Sequence, residues 1–398
     1  MLVLVINSGS SSIKFQLLDT KTRHALCKGL IERIGLDDAI FSYQPDDGKK
    51  YKDILPIPDH TTGIKLVLDT LQDSVKGVIK NLSEIEAVGH RIVHGGEKIK
   101  QSERLTPQVL AIIKDSSRLA PLHNPANLMG VEAVSQVLPN IPHVGVFDTA
   151  FHATMPKHAY VYPLAYEYYE QHGIRRFGFH GPSHQYVSMR AAEILDIPLE
   201  KFNCVTCHLG NGVSLTAVKG GHSVDTSLGF GTMCGVPMGT RAGDVDPAII
   251  LHLQEELGMS AKEVHDLIYK FSGFKGVSGL TNDMRDVEEA AAAGNERAQL
   301  ALDIFSHGAR KYVAALATSL GGHMDAIIFT AGVGENGPEA REQICEGLGV
   351  LGIKIDKEKN RVRGKEAIVS TDDSPVKILV VPTNEELMIA LDTEAVLN

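Results

Sequence analysis

The chain opens on a continuous apolar run, Leu2-Val-Leu-Val-Ile6, the pattern of a strand covered on both faces. After a polar stretch from Asn7 to Ser12, Ile13, Phe15 and Leu17 alternate with Lys14 and Gln16, which predicts a second strand. Strand patterns follow at 25–31 and 39–44. Apolar residues at helical spacing (Ile64, Leu66, Leu68, Leu71, Val75, Val78) predict an amphipathic helix over 61–80. A strand is predicted at 86–93, helices at 107–117 and 125–137, and a strand at 143–148, so an opening run of strands, βββ at its start, gives way to alternating helix and strand. A similar order begins again at Asn203, where NCVTCHLG runs through Gly210-Asn-Gly212 into VSLTAV and HSVDT. Helices are predicted near 247–257, 261–271 and 296–320, the last with Ala298, Leu302, Phe305, Ala309, Val313 and Leu316 on one stripe. Asp325-Ala-Ile-Ile-Phe-Thr330 has the pattern of a buried strand, and Gly332-Val-Gly334 leads to Pro338, well placed for the first turn of a helix. The repetition predicts a duplicated α/β unit, one copy near 1–150 and the other near 200–380. No low-complexity linker separates the halves. The first domain is placed at 1–150, with a final helix of about 385–398 packing back on it, and the second at 151–384.

At 398 residues the chain exceeds the size at which a single core stops growing, in keeping with two domains. A net charge of −10 argues against a nucleic-acid or anionic-membrane surface, while leaving room for a local basic pocket. Five cysteines, an odd number in a long chain, are the pattern of free thiols in a reducing compartment. Met1 to Ile6 is too short for a signal-peptide core, and no run approaches the ~18 residues of a membrane span. A cytoplasmic protein is expected.

The stretch Asn7-Ser-Gly-Ser-Ser-Ser-Ile-Lys14 invites comparison with a P-loop, but that motif needs a second glycine before the lysine and a helix after it, and here a strand follows. A glycine turn between strands can still cradle phosphate through backbone amides, serine hydroxyls and a lysine, or it can be a plain hairpin with solvated serines. A second such turn at His208-Leu-Gly-Asn-Gly212, in the same place of the second copy, favours the phosphate reading. Cys204-Val-Thr-Cys207-His208 has the spacing of a haem attachment site, but it lies inside a predicted buried strand of a chain expected to stay in the cytoplasm, and no second Cys or His pair stands at zinc-finger spacing. Arg91 ends a strand beside Gly95-Gly96, and Arg241 sits among glycines in Met238-Gly-Thr-Arg-Ala-Gly-Asp244; both suit carboxylate or phosphate. Asp148 closes HVGVFD at the carboxyl end of a strand, where open α/β sheets bind ligands, although a capping role is also open to it. Glu385-Glu386 follow Pro382-Thr-Asn384 and could equally be a solvated first turn of helix.

Ten stretches in order, NSGSSSIKF (7–15), HRIVHGG (90–96), LAPLHNPAN (119–127), FDTAFH (147–152), FGFHGPSH (177–184), HLGNG (208–212), MGTRAGD (238–244), SGLTNDMR (278–285), FTAGVGEN (329–336) and PTNEE (382–386), resemble the acetate kinase family, part of a superfamily that includes sugar kinases, actin and heat-shock chaperones. The resemblance implies two duplicated actin-like (ribonuclease H-like) βββαβαβα domains, an interdomain active-site cleft, a homodimer, and reversible transfer of the ATP γ-phosphoryl group to acetate, giving acetyl phosphate and ADP. It assigns Mg²⁺, or alternatively Mn²⁺, to Asn7 and Glu385, and the phosphates to Lys14, Ser10 and Ser12. Arg91 is implied to bind the acetate carboxylate, with Asp148, His180 and Arg241 serving transfer and His123 facing the reacting group. The nucleotide is implied to lie along His208, Leu209, Gly210, Asn211 and Gly212, along Asp283, Met284 and Arg285, and along Gly332, Val333, Gly334, Glu335 and Asn336. Val93, Leu122 and Phe179 would wall the methyl group.

A carboxylate with a pKa of about 4 to 5 is already ionised at neutral pH, so this nucleophile needs no general base, and an orienting role for Asp148 is favoured over proton transfer. The sequence departs from the family's pattern at Phe230-Gly-Thr-Met-Cys-Gly235, where Thr232 replaces a proline of the acyl pocket, and at Pro182 and Ala242, which replace a threonine and a serine. These changes bear on acyl-chain selectivity. A propionate or butyrate kinase of the same family is therefore the nearest alternative. An actin-like or chaperone-like module that binds ATP to switch a partner is the alternative from another class, but it has no use for two arginines converging on a second anion.

Overall fold

β1 (Leu2–Ser8) and β2 (Ser12–Asp19) form the expected hairpin in a computed structural model that describes residues 1–398. The chain divides into two compact units, one of Met1–Ala153 with Asn384–Asn398 and the other of Thr154–Thr383. In the first, β3 (His24–Glu32), β4 (Ala39–Pro45), β5 (Tyr51–Leu55), β6 (Ala87–Ile92), β7 (Glu103–Arg104) and β8 (His143–Phe147) complete an eight-stranded sheet of order β5-β4-β3-β2-β1-β6-β8-β7. In the second, β9 (Asn203–Leu209), β10 (Val213–Lys219), β11 (His222–Thr226), β12 (Ala326–Thr330), β13 (Ala367–Ile368) and β14 (Lys377–Val380) order as β11-β10-β9-β12-β14-β13. The inner five strands repeat. β3-β2-β1 pair antiparallel and β1-β6-β8 parallel, and β11-β10-β9 and β9-β12-β14 do the same. The duplicated α/β architecture expected from the sequence is present.

Strand alternation sorts the first unit's residues between two faces. Leu4, Ile6, Ile13, Phe15 and Leu17 pack with Ile64, Val67 and Leu68 of the helix His60–Leu71 and with Val134 of the helix Asn124–Val137. Each such side chain contributes about 1.5–3 kcal/mol when fully buried. Gly29 of β3 makes this core possible, because a Cβ there would lie 2.3 Å from the Phe15 ring, which stacks with Phe41 at 6.3 Å. The opposite face carries the C-terminal helix Glu385–Leu397: a Cβ on Gly89 would meet Thr393 at 2.5 Å and Ile389 at 2.9 Å. In the second unit the helix Glu296–Thr318 buries Ala298, Leu302, Phe305, Ala309, Val313 and Leu316, the stripe read from the sequence.

One element is shorter than expected. The helix predicted over 61–80 ends at Leu71, because the Asp73 carboxylate accepts from the backbone N–H groups of Val75 (2.8 Å) and Lys76 (3.0 Å) and turns the chain. Val75, counted in the helical stripe, is 85% exposed.

Candidate active site

Register places the first constellation. Asn7 pairs with Lys14 across the hairpin, and the parallel β1–β6 register of Val5 with Gly89 sets Asn7 and Arg91 on the face covered by the C-terminal helix. Asp148 follows β8 directly, its N–H donating to the Ile92 carbonyl. Arg91 donates from Nε to Asp148 Oδ1 (2.9 Å) and from Nη2 to Oδ2 (2.8 Å), a bidentate pair, and its Nη1 lies 3.9 Å from Glu385 Oε2. Burial works against the Arg91 charge, but Asp148 and Glu385 outweigh it and hold the guanidinium above its ordinary range. Glu385 is pushed up by burial, then by Asp148 and Glu386, with Arg91 and Lys14 opposing; its Oε1 is buried without a hydrogen-bond partner. Lys14 pairs with Glu386. In the turn, Gly9 N–H donates to the Ser12 carbonyl (2.8 Å) and His60 Nε2 donates to the Gly9 carbonyl (2.8 Å), while Ser10 stays exposed.

The second constellation lies wholly in the other unit. His180 caps the helix Gly181–Ile194 with a left-handed backbone (φ +57°), an uncommon conformation for a side chain of this size and one that concentrates at functional sites. Its Nδ1 is 2.8 Å from Ser214 Oγ, which also meets His184 Nε2 at 2.7 Å, and its ring stacks on His208 at 4.2 Å. Ser183 Oγ holds His208 Nδ1 (2.8 Å) and Thr383 Oγ1 (2.9 Å). A hydroxyl has one hydrogen to give, so Ser214 can donate to only one of its two imidazole partners and the other nitrogen must carry the proton it shares with the serine. Gly212 brings the group together: a Cβ there would lie 3.1 Å from His180 Nε2 and 3.7 Å from Arg241 Nη1.

Arg241 is held by its loop. Met238 N–H donates to the Arg241 carbonyl (3.0 Å) and Asp244 Oδ1 accepts from Gly235 N–H (2.7 Å); Gly243 is required as glycine both by its φ of +72° and because a Cβ would strike the Gly235 carbonyl at 2.6 Å. The guanidinium donates only to the Thr232 carbonyl (2.9 Å) and, weakly, to Met238 Sδ (3.6 Å); no carboxylate pairs with it, and burial holds its pKa below the ordinary range. It is a partly buried cation without an anion.

A cavity of about 580 Å³ in the same unit is lined by eight of the residues assigned to nucleotide: Gly210, Asn211, Asp283, Met284, Arg285, Gly332, Val333 and Asn336. Gly239, Phe274, Asn282, Glu288, Gly337 and Arg363 also line it and lie outside the residues that the resemblance assigns to nucleotide. His208, Leu209, Gly212, Gly334 and Glu335 do not line it. Glu335 instead accepts from the backbone N–H groups of Ala331 (2.7 Å) and Thr383 (3.1 Å), pinning the loop that does. Of the residues assigned to the methyl group, Val93 is half-buried and Leu122 is 76% exposed in the first unit, while Phe179 is buried and Thr232 half-buried in the second. His123 is exposed at the start of the helix Asn124–Val137. Two amides of the same motif, Asn124 and Asn127, are buried, which residue pattern alone does not signal.

Comparison with known proteins agrees along the whole length. The acetokinase family model matches residues 2–391. The acetate kinase of Caldanaerobacter subterraneus subsp. tengcongensis is 56% identical over 395 residues (99% of this chain, 98% of the relative), and that of Thermoanaerobacterium thermosaccharolyticum is 55% identical over 397 residues (100% and 99%). Among solved structures, Porphyromonas gingivalis acetate kinase matches with a TM-score of 0.95 at 46% identity, covering 100% of both chains. A propionate kinase from Francisella tularensis matches with a TM-score of 0.91 at 40% identity, covering 99% of both. The chain belongs to the acetokinase family.

Proposed function

We propose that this chain transfers the γ-phosphoryl group of ATP reversibly to acetate, giving acetyl phosphate and ADP by direct in-line displacement. The observation that carries the reading is the pair of arginines in different states. Arg91 is oriented by a bidentate acid, with Nη1 left to address a substrate carboxylate, whereas Arg241 has no acid at all. An uncompensated, partly buried guanidinium costs several kcal/mol unless an anion arrives. A binding module that only switches on ATP has no need of both.

In the proposed step an acetate oxygen forms a bond to the γ-phosphorus as the bridging bond to the β-phosphate breaks, and ADP carries off the bonding electrons. Negative charge spreads over the equatorial oxygens of a loose transition state, so positioning and a fixed positive field supply the catalysis. Arg241 and the Nε2 edge of His180, both facing Gly212, are the groups assigned to that charge. Asp148 has both oxygens occupied by Arg91, which suits orientation rather than proton transfer.

A hard divalent cation suits the oxygen donors of Asn7 and Glu385, since Glu385 Oε1 is buried with nothing to satisfy it. No cluster of three acidic, histidine or cysteine groups forms a ready cage, in keeping with Mg²⁺ or Mn²⁺ held by one or two protein oxygens plus substrate phosphates. When bound, the ion would neutralise phosphate charge; Asn7 and Glu385 would orient it, and Lys14, Ser10 and Ser12 would line the phosphates.

The helix Pro247–Glu255 (PAIILHLQE) buries none of its residues and leaves Ile249 47% and Leu251 55% exposed, which supports a homodimer with this helix covered by a second copy. No helix is long and apolar enough to cross a membrane, and all five cysteines are free thiols, in keeping with a cytoplasmic location. Trapping acyl phosphate with hydroxylamine in the presence of acetate, propionate and butyrate tests the proposal. Acetate should give the highest kcat/KM, with propionate within the ~10–200-fold that one methylene discriminates. A preference for propionate would move the assignment to the longer acid through Thr232. No hydroxamate with any of the three, alongside intact ATP binding, would remove the kinase reading.

A further inference from the structure

We infer that Asn127 is a positioning residue that sets the spacing of the two strand ends bearing Asn7 and Arg91, an inference that rests on Arg91 as the acetate anchor. The parallel ladder between β1 and β6 stops at the Ile6–His90 pair, one residue short of Asn7 and Arg91. Beyond that point one side chain joins the strand ends. The Asn127 amide donates from Nδ2 to the Ser8 carbonyl (2.9 Å) and accepts at Oδ1 from the Val93 N–H (3.0 Å), and the residue is only 4% exposed. Ser8 follows Asn7 directly, and Val93 lies two residues after Arg91.

A carboxamide supplies a donor and an acceptor from the two ends of one short rigid plane, the pattern these two backbone groups require. An apolar side chain would leave a buried carbonyl and a buried N–H unpaired, and a carboxylate would turn an oxygen toward the Ser8 carbonyl. The helix carrying Asn127 fixes the same strand ends at two further points. Asn124 Oδ1 accepts from His94 N–H (3.1 Å) and its Nδ2 donates to the His94 carbonyl (2.8 Å); Gly130 abuts Ser8 so closely that a Cβ would lie 2.4 Å from Ser8 Cβ. The separation of Asn7 and Arg91 is thus set by the first turns of the helix Asn124–Val137 where the sheet's own hydrogen bonds have ended.

The test compares Asn127→Leu and Asn127→Asp with Val131→Ala, a truncation in the same helix that shares a core cluster with Ile92 but has no hydrogen bond to give either strand end. Far-UV circular dichroism, melting temperature, kcat and the KM values for acetate and ATP are measured in the intact protein. Asn127→Leu should lower kcat/KM for acetate by about 10- to 100-fold, the cost of a misplacement near 1 Å, with the KM for ATP little changed. Asn127→Asp keeps the acceptor for Val93 and should fall between Asn127→Leu and wild type. Val131→Ala should lose melting temperature only. If the Asn127 variants lose melting temperature or solubility but keep the wild-type kcat/KM for acetate in whatever folds, the residue is structural and the positioning role is overturned; if Asn127→Leu fails to fold, Asn127→Asp decides. Wild-type protein that makes no acyl phosphate is a separate result, which overturns the reading of Arg91 itself.

Discussion

Replacing Asp148 with asparagine separates orientation from proton transfer, because the shape is kept while the charge and one acceptor are lost. In the wild type both Asp148 oxygens accept from Arg91, at 2.9 and 2.8 Å, with the two side chains 3% and 19% exposed. The carboxamide can accept one of those N–H groups but turns its own N–H₂ toward the other. Removing one charge of a buried pair costs about 3–5 kcal/mol. The partial exposure of Arg91 and the remaining charge of Glu385 at 3.9 Å reduce this to about 2–3 kcal/mol. For a unit of this size, each kcal/mol lowers the melting temperature by about 2–4 °C, so D148N should melt about 4–12 °C lower if the first unit unfolds on its own. A guanidinium out of place by an ångström costs about 100-fold in rate. The assay is the pH dependence of acetyl hydroxamate formation across the neutral range, together with a thermal melt. Orientation predicts a profile of wild-type shape at reduced height, with a raised KM for acetate. An unchanged melting temperature, or loss of one limb of the profile in D148N, would refute the reasoning.

Three further outcomes follow from the same structure. Glu385 has a raised pKa in the fold, so the unfolded chain ionises it first and its contribution to stability declines as pH rises through the carboxylate range; E385Q should therefore melt higher than wild type in metal-free buffer at neutral pH while losing metal-dependent activity, and a lower melting temperature would contradict this. His143 Nε2 donates to the Leu138 carbonyl (3.2 Å), so its Nδ1 accepts from His90 Nε2 (2.9 Å) and the pair is neutral. Burial depresses both pKa values, with His143 adding to the effect at His90, so stability present above the unfolded value of about 6.5 is lost as pH falls below it; the double replacement H90L/H143L should flatten that acid loss in a melting series. G212A places a methyl group 3.1 Å from His180 and 3.7 Å from Arg241 Nη1 while lying outside the cavity lining, so kcat should fall by roughly tenfold with ADP affinity, measured by calorimetry, nearly unchanged.

Much of this arrangement is legible in the sequence because its elements are strongly periodic. The two strand-turn-strand openings, the stripe of the helix Glu296–Thr318 and the placement of Asp148 at the carboxyl end of a strand follow from alternation and spacing alone. The extent of the helix after Asp59 is not legible, since Val75 and Val78 keep helical spacing while the Asp73 side chain has already turned the chain. β5 and β7 escape because short edge strands carry little pattern. At the site, residue type and glycine context single out Arg91 and Arg241, but only three-dimensional placement shows that one is paired to an acid and the other is not. Asn124 and Asn127 stay hidden for a related reason. A polar residue buried by a bond to a distant backbone leaves no periodic trace, and their motif draws attention to His123, which is exposed. Glu288 lies one turn past Arg285 on the helix Met284–Ala292, while Arg363 reaches the cavity from a segment far along the chain.

The most direct measurement is ³¹P NMR of the purified protein with Mg²⁺, ATP and acetate, run in parallel with R91A and R241A. Wild-type protein should build up an acetyl phosphate resonance in step with ADP, and the two variants should be slower by about 10³–10⁵-fold, the range for arginines that stabilise phosphoryl transfer. Release of ADP and inorganic phosphate without acetyl phosphate, or near-wild-type turnover in both variants, would contradict it.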